Sequence, residues 1–214
     1  MTEKTTTGAP TAQKFTAKGL ATRSRIVDAA AALMFERGVA GTSIEDVRSK
    51  ASVSASQLYH YFDDKHSLVR AVIAFQTDAT LDRQRPLLDQ LDSIAALEEW
   101  CELHIAIQVE RNLRGGCAIG SLASELADVD PESRADLADG FARWEAPIRD
   151  GLSAMKARGE LRGESDPAHL ATAMMAALQG GLLLAQTQRD ITPLRVALSI
   201  MLAHIRSLTI KREV

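Results

Sequence analysis

The sequence contains only two cysteines, Cys101 and Cys117, and few long apolar stretches. Two cysteines do not form a disulfide framework, and their scarcity fits a reducing compartment. No apolar run approaches the roughly 18 to 20 residues of a membrane span, and the first ten residues, MTEKTTTGAP, lack the apolar core of a signal peptide. We therefore expect a cytoplasmic protein that has no membrane partner.

Motifs of common enzyme classes are also missing. The sequence has no Gly-rich phosphate loop, no His-Glu-x-x-His motif and no Gly-x-Ser-x-Gly motif. Metal sites in helical bundles often use Glu-x-x-His pairs, and the acidic segment before His104 does not supply one at that spacing. The five histidines are scattered along the chain. We expect no catalytic site, no bound metal and no cofactor.

What the chain does have is enough apolar sequence for one or two domains with a real core, since 46% of its 214 residues are hydrophobic and 25% are charged. The stretch TSIEDVRSKASVSASQLYHYFDDK predicts two short helices joined by a tight turn. Thr42 precedes Glu45 by three residues, and Ser54 precedes Gln57 by three, so each helix opens with a capping-box pair. The two starts lie twelve residues apart. This is the spacing of a helix-turn-helix, although an ordinary helical corner has the same periodicity.

A family resemblance favours the helix-turn-helix. It rests on Phe35-Glu36-Arg37-Gly38, Ile44-x-x-Val47 and Ser54-x-x-x-Leu58-Tyr59-x-x-Phe62-x-x-Lys65. Over about residues 18 to 68, this pattern resembles the DNA-binding domain of the tetracycline-repressor (TetR) family. Two positions depart from the family pattern: Ser52 stands where a turn glycine is usual, and Arg48 where a small residue is usual. Ser can adopt the left-handed conformation at some cost, and Arg48 can lay its stem along the surface.

The resemblance implies an all-α protein of about nine helices. Its parts are a mobile N-terminal tail (residues 1–17), a three-helix DNA-binding domain (18–63) and a helical ligand-binding and dimerisation domain (64–214). Residues 1–65 contain nine basic and seven acidic side chains, whereas residues 66–214 contain sixteen and twenty-one. The positive bias is small, so we expect DNA affinity to come from dimerisation and from a local patch of Lys14, Lys18, Arg23, Arg25 and Lys65.

The second short helix would enter the major groove of double-stranded DNA. The residues that we expect at the DNA are Arg23, Thr42, Ser43, Ser54, Ala55, Ser56, Gln57, Tyr59, His60, Tyr61 and Lys65. Arg23, Thr42, Tyr59, Tyr61 and Lys65 are assigned mainly to phosphates, and Ser54, Ser56, Gln57 and His60 to phosphates or base edges. Gln57 has the groups to contact adenine through two hydrogen bonds.

The apolar periodicity predicts a first helix over residues 18–37 and a connecting helix over 64–85 that ends at Pro86. It continues with helices over 93–112, 119–127, 131–158, 167–187 and 192–208. Pro147 lies inside the long predicted helix over 131–158, where it should bend the helix or open a gap beside it. Simple core packing is the alternative to a cavity there. The candidate ligand-binding residues are Trp100, His104, Cys117, Phe141, Trp144, Met174 and Gln179.

Cys117 lies in a segment, GCAIGSLASEL, that resembles a TetR subgroup containing flavonoid-responsive and N-ethylmaleimide-responsive repressors. In the latter the cysteine senses electrophiles and oxidants. A helix N-terminus and the nearby Arg111 or Arg114 would favour the thiolate. Inert packing of Cys117 is the alternative. We expect an effector that is a reversibly bound apolar or aromatic small molecule, with thiol modification as the second hypothesis.

The last two predicted helices are apolar around most of their circumference, which predicts burial on two sides. We interpret them as the interface of a two-fold homodimer, through Met175, Leu178, Gly181, Leu182, Leu198, Met201, Leu202 and Ile205. Such symmetry predicts a palindromic operator. The sequence therefore favours a ligand-responsive repressor. An activator or dual regulator of the same family and a helical small-molecule carrier without DNA binding remain the alternatives.

Overall fold

The computed structural model describes residues 15–210, and within this range the chain forms nine α-helices, one 3-10 helix and no β-strand. The α-helices are α1 (Ala17–Arg37), α2 (Ile44–Ala51), α3 (Ala55–Tyr61), α4 (Lys65–Asp82), α5 (Ile94–Glu110), α6 (Ala118–Leu126), α7 (Pro131–Ala157), α8 (Pro167–Gln188) and α9 (Thr192–Ser207). The 3-10 helix, η1 (Leu87–Gln90), lies between α4 and α5. The expected all-α architecture is confirmed.

Most predicted helix bounds agree with the structure to within two residues, and α4 is the exception. It ends at Asp82 rather than near residue 85, because a turn precedes Pro86 and η1. The predicted tail overlaps the described residues only at 15–17. There, Thr16 caps α1 by accepting the backbone N–H of Gly19, so residues 15–17 belong with the first helix. Residues 1–14, including Lys14, lie outside the described residues.

The capping boxes of the two short helices are only partly as predicted. The Ser54–Gln57 box is confirmed, with Ser54 Oγ accepting the Gln57 N–H at 3.1 Å. The first box is formed by Ser43 and Asp46, not by Thr42 and Glu45. Both pairs have the same spacing, and burial separates them: Thr42 is 1% exposed, and its hydroxyl donates to the Gly38 carbonyl at 2.8 Å.

The two departures from the family pattern are accommodated as expected. Ser52 adopts the left-handed conformation (φ 53°, ψ 51°) that the turn requires and that glycine reaches at lower cost. Arg48 is half-buried, and its Nε donates to Glu45 Oε2 at 2.9 Å on the outer surface of α2. The turn and the angle between α2 and α3 are therefore compatible with this sequence.

One long helix, α4, connects the two halves of the molecule. It packs against α1 on one side and against α6 and α7 on the other. Leu68 and Val72 are fully buried, and Arg70 extends from the exposed side to Asp136 on α7, with Nε 2.6 Å from Oδ2. Any tilt of α4 relative to α7 would therefore be transmitted to α1 and the DNA-binding helices.

The helix α7 continues through Pro147 without interruption. Trp144 and Ile148 on either side of the proline are buried in the core. The neighbouring helix α8 is, by length and composition alone, long and apolar enough to cross a membrane, which the sequence analysis did not predict. It packs most closely against α9 and α7, and Leu170, Met174 and Leu178 are buried there, so it is a core helix of this fold.

Candidate DNA-binding surface and ligand cavity

The helix α3 presents most of the predicted DNA-contacting side chains to the outside. Ser54, Ala55, Ser56 and Gln57 are all exposed along its first turn, and Tyr59 is 53% exposed. His60 is exposed in the last turn of the helix. The small residues of the first turn permit close approach to a groove, and the aromatic residues follow behind them.

The capping box occupies part of this surface. Gln57 Oε1 accepts the Ser54 N–H at 2.9 Å, and Ser54 Oγ lies 3.0 Å from Ser56 Oγ. The amide N–H groups of the Gln57 side chain donate no hydrogen bond to any of residues 15–210. A two-bond contact with adenine therefore requires Gln57 Oε1 to share or release its capping hydrogen bond.

Several predicted phosphate contacts are held by the protein itself. Tyr61 is half-buried, and its ring centroid lies 5.1 Å from that of Phe15 and 4.9 Å from that of His60. The Arg23 guanidinium lies 5.1 Å from the centre of the Phe62 ring, within the range of a cation–π contact. Tyr61 consequently braces α3 against the start of α1.

Lys65 and Thr42 are the next two predicted phosphate contacts. Lys65 Nζ donates to the Val39 carbonyl at 2.7 Å, so its charge is held beside the turn between α1 and α2. The burial of Thr42 removes its hydroxyl from the surface, which corrects its assignment as a phosphate contact. Its exposed neighbour Ser43 caps α2 and remains a predicted DNA contact. Phe15 was missed because the sequence reading placed it in the tail.

A cavity of about 340 Å³ lies among helices α1, α4, α5, α6, α7 and α8. Its lining is mixed, with aromatic and aliphatic walls, several amides and three charged side chains. The lining residues are Asp28, Ala31, Ala32, Phe35, Phe75, Gln76, Ala79, Thr80, Arg83, Gln84, His104, Ile107, Gln108, Arg111, Gly116, Cys117, Ala118, Trp144 and Leu182. The contribution of α1 places one wall of this cavity on the DNA-binding half of the molecule.

Three of the seven predicted ligand-binding residues line the cavity: His104, Cys117 and Trp144. The other four, Trp100, Phe141, Met174 and Gln179, are not in the lining of this cavity, so their assignment to a ligand stays a prediction. Trp100 and Met174 lie on the faces of their helices that pack into the core, and both are fully buried. Pro147 does not border the cavity, although Trp144, three residues before it, does.

The residues that sequence reasoning missed lie mainly at helix ends and on α1. Phe35 and Asp28 belong to α1, and Arg83 and Arg111 follow the last residues of α4 and α5. An arginine at a helix C-terminus is favourable for the helix dipole and is common for that reason. No pattern along the chain distinguishes these arginines from the others.

Gln84 lies at the base of the cavity and is 2% exposed. Its Oε1 accepts the indole N–H of Trp100 at 2.8 Å and that of Trp144 at 2.9 Å, and it lies 3.1 Å from His104 Nε2. Indoles only donate, which fixes the amide orientation and requires the His104 proton on Nε2. Burial lowers the pKa of His104 to about 3, so the imidazole stays neutral.

Cys117 caps the N-terminus of α6, where its Sγ accepts the Gly120 N–H at 3.3 Å. This hydrogen bond favours the thiolate, but burial has the larger effect and raises the pKa of the thiol. The direction is opposite to the activation that the sequence reading expected from the helix dipole. Burial likewise raises the pKa of Cys101 on α5 to about 12. Both cysteines are therefore thiols at neutral pH.

The opposite end of α6 contacts the DNA-binding half. Glu125 Oε2 accepts the backbone N–H of Val39 at 2.8 Å and that of Ala40 at 3.4 Å, in the turn between α1 and α2. Gly38 stands next to this contact with φ 78°, and a Cβ there would meet the Glu125 carboxylate. One short helix thus joins the cavity, at Cys117, to the α1–α2 turn.

The structure buries six of the eight predicted dimer residues inside one protomer. Met175, Leu178, Gly181, Leu182, Leu198 and Ile205 are buried within one protomer, and Met201 and Leu202 are half-buried. The six buried residues pack inside the protomer and are not available to a partner, whereas Met201 and Leu202 stay predicted interface residues. The opposite faces of α8 and α9 are exposed and apolar, with Gly180, Leu183, Leu184, Val196 and Ile200. We call these five residues the outer face of α8 and α9.

Within residues 15–210, no group of three or more His, Cys, Asp or Glu side chains is arranged to hold a metal ion. The two recognisable surfaces are instead the helix-turn-helix with α3 exposed and the cavity behind it. They define a DNA-binding protein with an internal space for a small molecule.

Comparison with known proteins agrees with this class. A family model described as bacterial regulatory proteins, tetR family, matches residues 26–72, and one described as tetracyclin repressor-like, C-terminal domain, matches residues 93–201. An uncharacterised HTH-type transcriptional regulator in the lacX 3' region of Lactococcus lactis subsp. lactis is 30% identical over 81% of this chain and 87% of its own length.

Solved structures show the same fold. A TetR transcriptional regulator from Chloroflexus aurantiacus J-10-FL superposes with a TM-score of 0.76 at 27% identity, over 90% of this chain and 98% of that one. The reduced form of NemR from E. coli has a TM-score of 0.74 over 91% of this chain and 100% of that one; at 22% identity it shows the fold alone. The chain belongs to the TetR family of helix-turn-helix transcriptional regulators. Regulators of this family bind DNA operators and small-molecule effectors and function as dimers.

Proposed function

We propose that this protein represses transcription as a homodimer bound to a palindromic operator, and that a small molecule in the 340 Å³ cavity releases it. The observation that carries the proposal is the position of the cavity. Asp28, Ala31, Ala32 and Phe35 of α1 line it together with residues of α4, α5 and α6. A ligand in this space contacts both the DNA-binding half and the regulatory half of the chain.

Release follows from differential affinity. A ligand shifts the protein toward whichever arrangement of α1 and α4 gives it the better contacts. If that arrangement places the two recognition helices at the wrong separation, operator affinity falls. Two supports for transmission are the α1–α4 packing and the Glu125 hydrogen bond to Val39 at the far end of α6.

At the DNA, we assign Arg23, Ser43, Tyr59 and Lys65 to phosphates. Ser54, Ala55, Ser56, Gln57 and His60 lie on the exposed side of α3 and are assigned to the groove. Tyr61 acts indirectly by holding α3 against Phe15. Because the protein acts on DNA, it works in the cytoplasm.

Reversible binding is preferred over thiol modification as the releasing event. Cys117 lines the cavity, so an electrophile that enters would meet it. Its raised pKa keeps the sulfur in the less nucleophilic thiol form. Substituting Cys117→Ser should therefore leave the response to a reversible ligand in place.

The test is operator selection with the purified full-length protein. A random-sequence duplex pool should yield a palindrome, bound with at least about a thousandfold preference over competitor DNA at fixed salt. Footprinting should show two protected half-sites about one helical turn, or a multiple of it, apart. If no sequence is enriched and binding to DNA does not depend on salt, the chain is a carrier and not a regulator.

Gln57→Glu tests base recognition by α3 on the same operator. A glutamate keeps the acceptor for the Ser54 N–H, so the capping box is preserved, but it removes the amide donor. We expect discrimination at one base pair per half-site to change by roughly 1 to 3 kcal/mol. The control is Gln90→Glu, which makes the same charge change on exposed η1. An unchanged sequence preference in Gln57→Glu would show that Gln57 contacts no base.

A further inference from the structure

The charged residues of the cavity point to a ligand class. Arg83, after the end of α4, and Arg111, after the end of α5, both line the cavity, and Asp28 is the one carboxylate in its lining. His104 adds no charge because burial keeps it neutral. The charged side chains of the lining therefore sum to a net positive charge, because two arginines that follow two different helices outnumber one carboxylate.

Neither arginine is neutralised by a partner. Among residues 15–210, no carboxylate lies within 4.0 Å of Arg83 or Arg111, although several other arginines, such as Arg70 and Arg143, are paired. Arg111 is half-buried. Arg83 is exposed at the open part of the cavity. A guanidinium that lines a cavity and has no counter-ion among the described residues is a suitable partner for a carboxylate, which it can bind through two parallel hydrogen bonds.

The rest of the wall is suited to an apolar ring. Three aromatic residues, Phe35, Phe75 and Trp144, line the cavity, together with the aliphatic Ile107 and Leu182. Ligand cavities commonly range over roughly 300 to 1,000 Å³, so about 340 Å³ suits a compact molecule of one or two rings. The chain thus combines a small aromatic-lined cavity with two unpaired cations.

We propose that the effector is an organic anion, a compact aromatic or aliphatic carboxylate whose apolar body fills the cavity and whose carboxylate pairs with Arg83 and Arg111. This rests on the proposed function, since it names the ligand class of the same cavity. It is narrower than an apolar small molecule, because neutral compounds of equal shape would leave both guanidinium groups unpaired.

The experiment compares two acid–amide pairs, and within each pair the two molecules have nearly equal shape. The pairs are 2-naphthoate with 2-naphthamide and 4-phenylbutyrate with 4-phenylbutyramide. Calorimetry at neutral pH gives the dissociation constants for the full-length protein. We expect at least one acid to bind about tenfold or more tightly than its amide, which corresponds to about 1.4 kcal/mol. In the double variant Arg83→Gln/Arg111→Gln, this preference should fall to about one.

The matched control is Arg114→Gln. Arg114 is exposed in the loop after α5, has no ion pair among residues 15–210 and does not line the cavity. It should keep the preference of the wild type for the acid. Thermal unfolding of all variants checks that the lost helix-end charges have not unfolded the double variant; if they have, the single variants replace it, and each should lose part of the preference.

The proposal is overturned if the amides bind as tightly as the acids, if neither acid binds, or if the acid preference survives in the double variant. Operator binding by the same preparations separates this result from the proposed function. A wild type that binds its selected operator but has no preference for the acids is a regulator with another ligand class. A wild type that binds no operator loses the regulatory function itself.

Discussion

Gln84 connects three helices of the regulatory half, α4, α5 and α7, through one side chain. Its Oε1 accepts from Trp100 on α5 and Trp144 on α7, and its Nε2 donates to the Thr80 carbonyl on α4 at 2.7 Å. A single carbonyl oxygen has two lone pairs, so the two indoles satisfy it before the His104 contact is counted. The packing of both tryptophans therefore depends on this amide.

Gln84→Leu should destabilise the protein strongly. It keeps a similar volume but leaves two buried indole N–H groups without an acceptor, which we expect to lower the free energy of unfolding by about 2 to 4 kcal/mol. Urea unfolding at fixed protein concentration measures the change. Gln76→Leu is the control, because Gln76 lines the same cavity without a side-chain hydrogen bond to residues 15–210. It should stay within about 0.5 kcal/mol of the wild type, and equal losses in both variants would refute the role of Gln84.

His104 makes stability depend on pH in a definite direction. Its pKa is about 3 in the folded protein against 6.5 for a free histidine. Between these values, the unfolded chain binds a proton that the folded protein does not, so stability is lost as pH falls. The contribution of His104 to the free energy of unfolding is fully present above about pH 6.5. Below that pH it decreases by up to about 1.4 kcal/mol per pH unit.

Comparison with His104→Gln isolates this contribution. Glutamine can still donate an N–H to Gln84 Oε1 but does not titrate. As pH falls from about 7 to about 5, the free energy of unfolding of the wild type should decrease relative to that of the variant. Exposed carboxylates titrate equally in both proteins and cancel. A difference that is constant over this range would show that His104 has the same pKa in the folded and the unfolded protein.

At the scale of elements, α6 is short but touches both functional regions. Cys117 at its start lines the cavity, and Glu125 near its end accepts the N–H groups of Val39 and Ala40. Hydrogen bonds to a carboxylate are stronger than those between neutral groups. A displacement of α6 by a ligand would therefore pull on the turn that carries α2.

Glu125→Ala should loosen that turn without unfolding the protein. Loss of the acceptor should speed hydrogen exchange of the Val39 and Ala40 amides about tenfold, equivalent to ~1.4 kcal/mol. Asp128→Asn is the charge-matched control, because Asp128 is exposed just after α6 and has no partner among residues 15–210. Exchange measured by NMR should be unchanged there. Unchanged exchange in Glu125→Ala would remove α6 from the connection.

The same elements show how far sequence reasoning reaches. Helices and the Ser54 cap follow from local rules, since periodicity and capping act within a few residues. The choice between Thr42 and Ser43 did not, because both have an acid three residues later and only the burial of Thr42 decides it. The cavity was expected beside Pro147, but most of its lining comes from α1, α4 and α5, since the space between helices depends on how distant segments pack.

For the whole molecule, the decisive surface is the outer face of α8 and α9. The sequence analysis placed the dimer interface on these two helices, but a helix that is apolar all round does not show which side meets its own chain. Leu198 and Ile205 point inward, whereas Leu183 and Ile200 are each 63% exposed. Exposed apolar patches of this kind commonly mark protein interfaces. A second copy of the chain, related by two-fold symmetry, would cover the same patch on both partners.

Ile200→Glu should therefore separate the protomers. Burying a carboxylate at each copy of a symmetric contact places two like charges in an apolar interface, which is strongly unfavourable. Analytical ultracentrifugation should show a monomer at micromolar concentration, and operator affinity should fall because one recognition helix reaches only one half-site. The control is Val129→Glu, which places the same charge on a residue that is 74% exposed after α6, away from α8 and α9. It should remain dimeric and bind DNA normally; a dimeric Ile200→Glu variant would place the interface elsewhere.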